Sequence, residues 1–167
     1  MPSVQTTTLL RIIAFSALAG SRSMSPTALL SLYLTQRSSP PKQWIAQRLS
    51  STSGAIITST LALGELVADK LPQTPNRTDA PALIGRMISG GGVGALLGAL
   101  HDQPAWLCAI CGSVAAAAET FATFYLRRGL GQALPIPDPL IALLEDGLVW
   151  NSGWWLLASL NAEKDKA

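Results

Sequence analysis

The chain has 167 residues, of which 49% are hydrophobic and only 13% are charged, whereas an ordinary soluble domain has about 25% charged residues. Together with a mean hydropathy of +0.33, this composition favours a single integral membrane domain over residues 1–167, with the lipid bilayer as its main partner. The net charge of +2 is too small for the dense basic surface that follows a nucleic-acid backbone, so nucleic acid is excluded as a partner.

The first apolar segment covers residues 7–33 and is interrupted by the polar stretch GSRSMSP at 20–26. Glycine, serine and proline break a helix at such a position. The segment is therefore either a broken helix or a re-entrant hairpin. A cleaved secretory signal is the alternative for residues 12–19, but the positive charge ahead of them is limited to Arg11, which favours a retained segment.

Four more apolar segments follow a polar loop at 35–53, and each approaches the roughly 20 residues that cross a hydrocarbon core. They cover residues 54–68, 83–100, 104–126 and 139–160. We therefore predict an all-α, multi-pass transmembrane bundle of about five spans in the inner (plasma) membrane, with the first span broken. Arg127 and Arg128 at the end of the fourth segment are typical interfacial anchors. The bias of basic residues between the two sides is too small to assign an orientation.

The two halves of the sequence resemble each other. Aligning Gly20 with Gly112 matches a Gly-Ser start and a Tyr-Leu pair at the same spacing, and the acids near Glu65 have a counterpart near Glu145. This predicts three parts, a first repeat half, a glycine-rich linking helix and a second repeat half, at residues 7–81, 82–103 and 104–160. One linking helix would invert the second copy, as in transporters with broken helices near the membrane midplane. Chance similarity between alanine-rich segments is the alternative.

Charged side chains inside the apolar segments form the candidate site. A charge at bilayer depth costs about 2.5 to 3.5 kcal/mol on insertion scales, so such residues face protein or a wet cavity and pair with counter-charges. The candidate acids are Glu65, Asp69, Glu119, Glu145 and Asp146, and the candidate cations are Arg22, Lys70 and Arg86. Either these residues line a path that binds a proton, a cation or another small solute, or they form structural ion pairs that hold the bundle together.

Gly90, Gly94 and Gly98 recur at every fourth position and predict a small-residue face for close helix packing. This face contacts either another helix of the bundle or a second copy of the chain in a homo-oligomer. Cys108 and Cys111 lie inside an apolar segment without a second redox pair, and are interpreted as small buried hydrophobes. We expect no catalytic residues, no metal site and no cofactor. An enzyme that uses the cysteines or the carboxylates ranks last, because it would require substrate-sized access to Cys108 or to the acidic residues.

A family resemblance rests on four of these features. The stretch ELVADKLP at 65–72, the interruption at 20–26, Arg86 followed by small residues, and the pair Glu145 and Asp146 resemble the bacterial membrane-protein family catalogued as domain of unknown function 4126. The resemblance covers nearly the whole chain and implies a helical integral membrane protein of this size, without implying an activity. The alanines after Val114 depart from the polar break of the first half, so an equivalent break is not expected there.

From these features we expect a small transporter or channel-like permease whose acidic residues bind a proton or cation near the membrane midplane. The alternative is a non-transporting scaffold or accessory subunit, in which the same acids form structural pairs with Arg22, Lys70 and Arg86.

Overall fold

A computed structural model of the chain describes residues 5–37, 41–68, 78–133 and 138–164. All regular secondary structure in these ranges is helical, which confirms the all-α class. The α-helices are α1 (Thr6–Ala17), α2 (Ser25–Thr35), α3 (Trp44–Leu49), α4 (Thr52–Ala68), α5 (Ala80–Leu100), α6 (Ala105–Ala133) and α7 (Asp138–Lys164).

Helices α4 to α7 coincide with the four later apolar segments, but α3 lies where the sequence predicted only a loop. The loop prediction relied on prolines and basic residues at 37–42 and on Arg48 within this stretch. It overlooked Ala46, which is fully buried in the main apolar cluster together with residues of α2 such as Leu30. The short helix α3 therefore forms where local composition does not favour one, and it buries this small side chain against α2.

Helices α5 and α6 are each long and apolar enough to cross a membrane. Only 44% of the most apolar stretch of α5 and 22% of that of α6 is buried inside the structure. A soluble protein seldom leaves so much contiguous apolar surface uncovered. Helices α1 and α4 are also apolar but shorter, so the predicted number of five spans is not confirmed.

The first apolar segment folds back on itself. Helix α1 ends in a single 3₁₀ turn at Leu18–Gly20, and α2 begins after Met24 with a proline in its first turn, where proline is tolerated. Arg11 on α1 donates to the carbonyl oxygen of Ser159 over 2.9 Å. Arg37, just after α2, donates to Asn161 over 2.5 Å. Residues of both arms thus contact the last turns of α7, so the segment turns back on itself as a helical hairpin.

The glycine face of α5 packs inside the chain. A Cβ added at Gly94 would lie 2.4 Å from the carbonyl oxygen of Cys108, and one at Gly90 would lie 2.7 Å from the Cβ of Ala116. A Cβ at Gly98 would lie 2.9 Å from the sulfur of Cys108. These positions need glycine because α5 and α6 approach so closely. Of the two partners predicted for this face, a helix of the same bundle and a second copy of the chain, the structure shows the first.

The predicted inverted repeat gains no support from the architecture. Residues 112–126, which align with the hairpin, lie within the continuous helix α6. Alanines at 115–118 continue a helix, whereas the glycine, serines and proline of the first half interrupt one. The boundaries at 7–81, 82–103 and 104–160 remain a prediction.

Candidate functional site

The hairpin tip, residues 20–24, is the point where the polar side chains of the bundle meet. A chain that leaves one helix and enters another exposes carbonyl groups at the first end and N–H groups at the second. In a largely apolar bundle these groups need partners. The side chains that supply them come from α4, α5 and α6, and they are Glu65, Arg86, Ser89 and Thr120. Glu119 on α6 and Asp146 on α7 instead bond the side chains of Ser21 and Arg22.

Arg86 on α5 holds the carbonyl side of the tip. Arg86 is 5% exposed, and its guanidinium donates to the carbonyl oxygens of Gly20 and Ser21, the latter over 2.8 Å. Thr120 on α6 donates to the same Gly20 oxygen over 3.1 Å. A positive charge at the carbonyl end of a helix is favoured by the helix dipole. Arg86 therefore acts as a C-terminal cap for the first arm.

Glu65 on α4 holds the N–H side of the tip. One carboxylate oxygen accepts hydrogen bonds from the backbone nitrogen and the hydroxyl of Ser23, and the other accepts from the backbone nitrogen of Met24, all over 2.8 Å. A carboxylate at a helix N-terminus is likewise favoured by the helix dipole. Ser89 on α5 donates to the carbonyl oxygen of Ser23. Glu65 therefore caps the second arm.

Arg22 joins the tip to α7. Its Nε donates to Oδ1 of Asp146 over 2.8 Å, and a second nitrogen donates to Oδ2 over 3.4 Å. The two side chains are 3% and 13% exposed. This is a two-point contact between a guanidinium and a carboxylate, the geometry that gives the strongest charged hydrogen bonds.

Glu119 and Glu145 have different surroundings, because they line a cavity of about 470 Å³ between α6 and α7. An oxygen of Glu119 accepts a hydrogen bond from the hydroxyl of Ser21 over 3.1 Å. Glu145 lies 3.8 Å from Arg127. We call this cavity the α6–α7 cleft. It reaches the hairpin tip at Ser21, while its walls are mainly aliphatic side chains.

The structure thus divides the predicted site residues into groups. Arg22, Glu65, Arg86 and Asp146 hold the hairpin tip. Glu119 contacts the tip and also lines the cleft, and Glu145 lies in the cleft. Asp69 and Lys70 fall outside the described residues. Every buried side-chain nitrogen or oxygen in the described ranges has a hydrogen-bond partner.

Sequence reasoning missed several polar residues of this region, among them Ser21, Ser89, Thr120 and Arg127. Ser89 follows Arg86 by one helical turn on α5, and Thr120 is next to Glu119, so proximity to a charged candidate was an available signal for both. Ser21 lies in the recognised break. Arg127 was interpreted as an interfacial anchor, and its contact with Glu145 could not be anticipated because it depends on how α7 lies beside α6.

The fold and the site together define a helical protein with membrane-capable helices, in which charged side chains from four helices contact the tip of a helical hairpin. A family model described as a domain of unknown function (DUF4126) matches residues 9–159. The chain belongs to this family, as the resemblance of its motifs indicated. Comparison with curated proteins and with solved structures gives no match.

Proposed function

We propose that this chain is a multi-pass protein of the plasma membrane that passes a proton or a cation along the α6–α7 cleft. The observation that carries the proposal is the position of Glu119 and Glu145, two carboxylates in a cavity whose walls are otherwise mainly apolar. Ionisable residues inside membrane proteins mark ion pathways and proton relays more often than they mark simple packing.

The distribution of apolar side chains supports the membrane setting. Large apolar residues are exposed along the outer faces of the helices, as at Ile57, Leu63, Val67, Ile110 and Val114. The charged groups around the hairpin tip lie inside. Irregular backbone at membrane depth is tolerated where protein covers it or where it lines a cavity. The hairpin tip satisfies that condition through its contacts with four helices.

The hydrogen bonds favour the cleft over the tip as the ion path. Glu65 accepts three hydrogen bonds and Asp146 has a two-point contact with Arg22, so an ion binding there would displace contacts that hold the hairpin. A carboxylate has about four acceptor positions. Glu119 accepts one hydrogen bond of 3.1 Å from Ser21 and faces the cavity, which leaves room for a further ligand.

The test is flux into liposomes that contain the purified protein, with separate pH-sensitive, Na⁺-sensitive and K⁺-sensitive dyes inside. We expect uptake of at least one of these ions, and we expect Glu119→Gln and Glu145→Gln to abolish it. Asp102→Asn is the matched control, because it also removes one carboxylate but lies in the short turn between α5 and α6. Unchanged flux in both glutamate variants would refute the proposed path.

A non-transporting scaffold or accessory subunit is the second candidate, and the pairing of Arg22 with Asp146 favours it. In that role the charged residues hold the hairpin against the surrounding helices and carry no ion. The scaffold predicts no flux of protons, Na⁺ or K⁺ through folded wild-type protein. It also predicts that exchanging the charges of the Arg22 and Asp146 pair retains more folded protein than either single change.

A further inference from the structure

We propose that the α6–α7 cleft binds an amphiphilic organic cation, a positively charged group attached to an apolar body. This inference rests on the proposed function and names the class of solute for the same site. Small-molecule pockets typically have volumes of about 300 to 1,000 Å³ and mostly apolar walls with a few polar groups. The cleft, at about 470 Å³, has both properties.

The charges of the cleft select for a cation. Its lining includes the carboxylates of Glu119 and Glu145 and the guanidinium of Arg127, so the formal charge is negative. Arg127 contacts Glu145 at 3.8 Å. Glu119 lies about two turns away along α6, roughly 12 Å by the helical rise. Among the charged groups of the lining, Glu119 therefore carries the negative charge that Arg127 does not balance, and a cationic group would bind beside it.

The walls select for an apolar body. Side chains of both helices and of the 3₁₀ turn give the cleft an apolar lining, and they are Leu18, Leu126, Leu130, Ile141, Leu144, Leu148 and Val149. A hydrated inorganic cation would lose water here without gaining enough oxygen ligands in return. An organic cation instead exchanges water for contact with these side chains, which is favourable for apolar surface. The two requirements meet in one amphiphilic ligand.

A second cavity provides an internal comparison. It has a volume of about 730 Å³ between α2, α3 and α5 and is lined by apolar and uncharged residues such as Leu30, Trp44 and Ile88. Volume and apolar walls alone would favour this larger cavity. Charge complementarity favours the α6–α7 cleft, so the two cavities make opposite predictions for a charged probe.

The test measures binding of tetraphenylphosphonium to the full chain in nanodiscs of zwitterionic lipid, by equilibrium dialysis. Tetraphenylborate, which has the same shape and the opposite charge, is the matched probe. We expect saturable binding of the cation at one site per chain and no saturable binding of the anion. Glu119→Gln should weaken cation binding by roughly tenfold or more, because opposite charges a few ångströms apart attract strongly in a partly buried site.

Two further variants separate loss of the site from loss of folding. Leu148→Trp fills the cleft from a position that is exposed, and we expect it to weaken binding without loss of folded protein. Ile88→Trp fills the second cavity and, like Asp102→Asn, should leave binding unchanged. Equal binding of both probes, or binding that depends on Ile88 and not on Leu148, would overturn the inference.

The binding assay and the flux assay can refute the two proposals separately. Proton flux that depends on Glu119, without saturable binding of tetraphenylphosphonium, would overturn the organic-cation class and leave the proposed ion path intact. Saturable binding that depends on Glu119, without flux of any tested ion or of the probe, would support the ligand class and overturn transport.

Discussion

Replacing Arg22 by methionine tests how firmly the hairpin tip is attached to α7. The guanidinium contacts both carboxylate oxygens of Asp146, and the two side chains are only 3% and 13% exposed. Exposed ion pairs contribute about 0 to 1 kcal/mol. Removal of one partner from a buried pair costs about 3 to 5 kcal/mol, because the remaining charge stays buried without its counter-charge. The low exposure makes the second range the appropriate one.

We therefore expect Arg22→Met to lower the free energy of unfolding by about 3 to 5 kcal/mol, about two to three and a half orders of magnitude in the equilibrium constant. Asp146→Asn should also destabilise the protein, since it leaves Arg22 buried. The double variant should recover a large part of the loss, because it buries neither charge alone. Methionine fills much of the volume of the arginine stem, so the comparison isolates the charge.

The assay is equilibrium unfolding in dodecyl maltoside micelles with increasing dodecyl sulfate. Tryptophan fluorescence follows the transition, since Trp150, Trp154 and Trp155 all lie on α7. The four proteins of the double-mutant cycle are measured under identical conditions. Distant, independent sites are additive within about 0.3 to 0.5 kcal/mol. Losses that add within that range would refute the ion pair as an energetic attachment.

Three other perturbations test the remaining features. Glu65→Ala removes the acceptor for two backbone N–H groups of the tip, and should lower the free energy of unfolding by about 1 to 3 kcal/mol; an unchanged unfolding midpoint would contradict its capping role. Gly94→Ala should lower the free energy of unfolding by about 1 to 3 kcal/mol through overpacking. Gly92→Ala, whose added Cβ meets nothing within 4 Å, should be neutral or stabilising. Equal effects of the two variants would contradict close packing of α5 on α6. Cysteines placed singly at Thr6 and Gln36, in a cysteine-free background, should react with an impermeant maleimide from the same side of the membrane, and labelling from opposite sides would exclude the re-entrant hairpin.

Local sequence features were sufficient to predict the longer helices, although they missed the short helix α3. Long apolar stretches separated by proline and glycine predict helices α4 to α7 because breakers and apolar runs act over a few residues. The interruption at 20–26 has the same local origin and appears where it was expected. The mainly apolar composition also favoured a membrane protein, since it depends on residue content and not on how the helices are arranged.

Tertiary structure decided how these helices and charges combine. Arg22 meets Asp146 across 124 residues of sequence, and Arg86 reaches Gly20 across 66; helical periodicity carries no information over such distances. The same limit explains why the sequence left open whether the first segment crosses or returns, and whether the glycine face contacts α6 or a second chain. It also explains why the predicted acidic residues occupy two different surroundings, the hairpin tip and the α6–α7 cleft. Their chemical type is fixed by the sequence, but whether a carboxylate caps a hairpin or faces a cavity depends on which helix packs beside it.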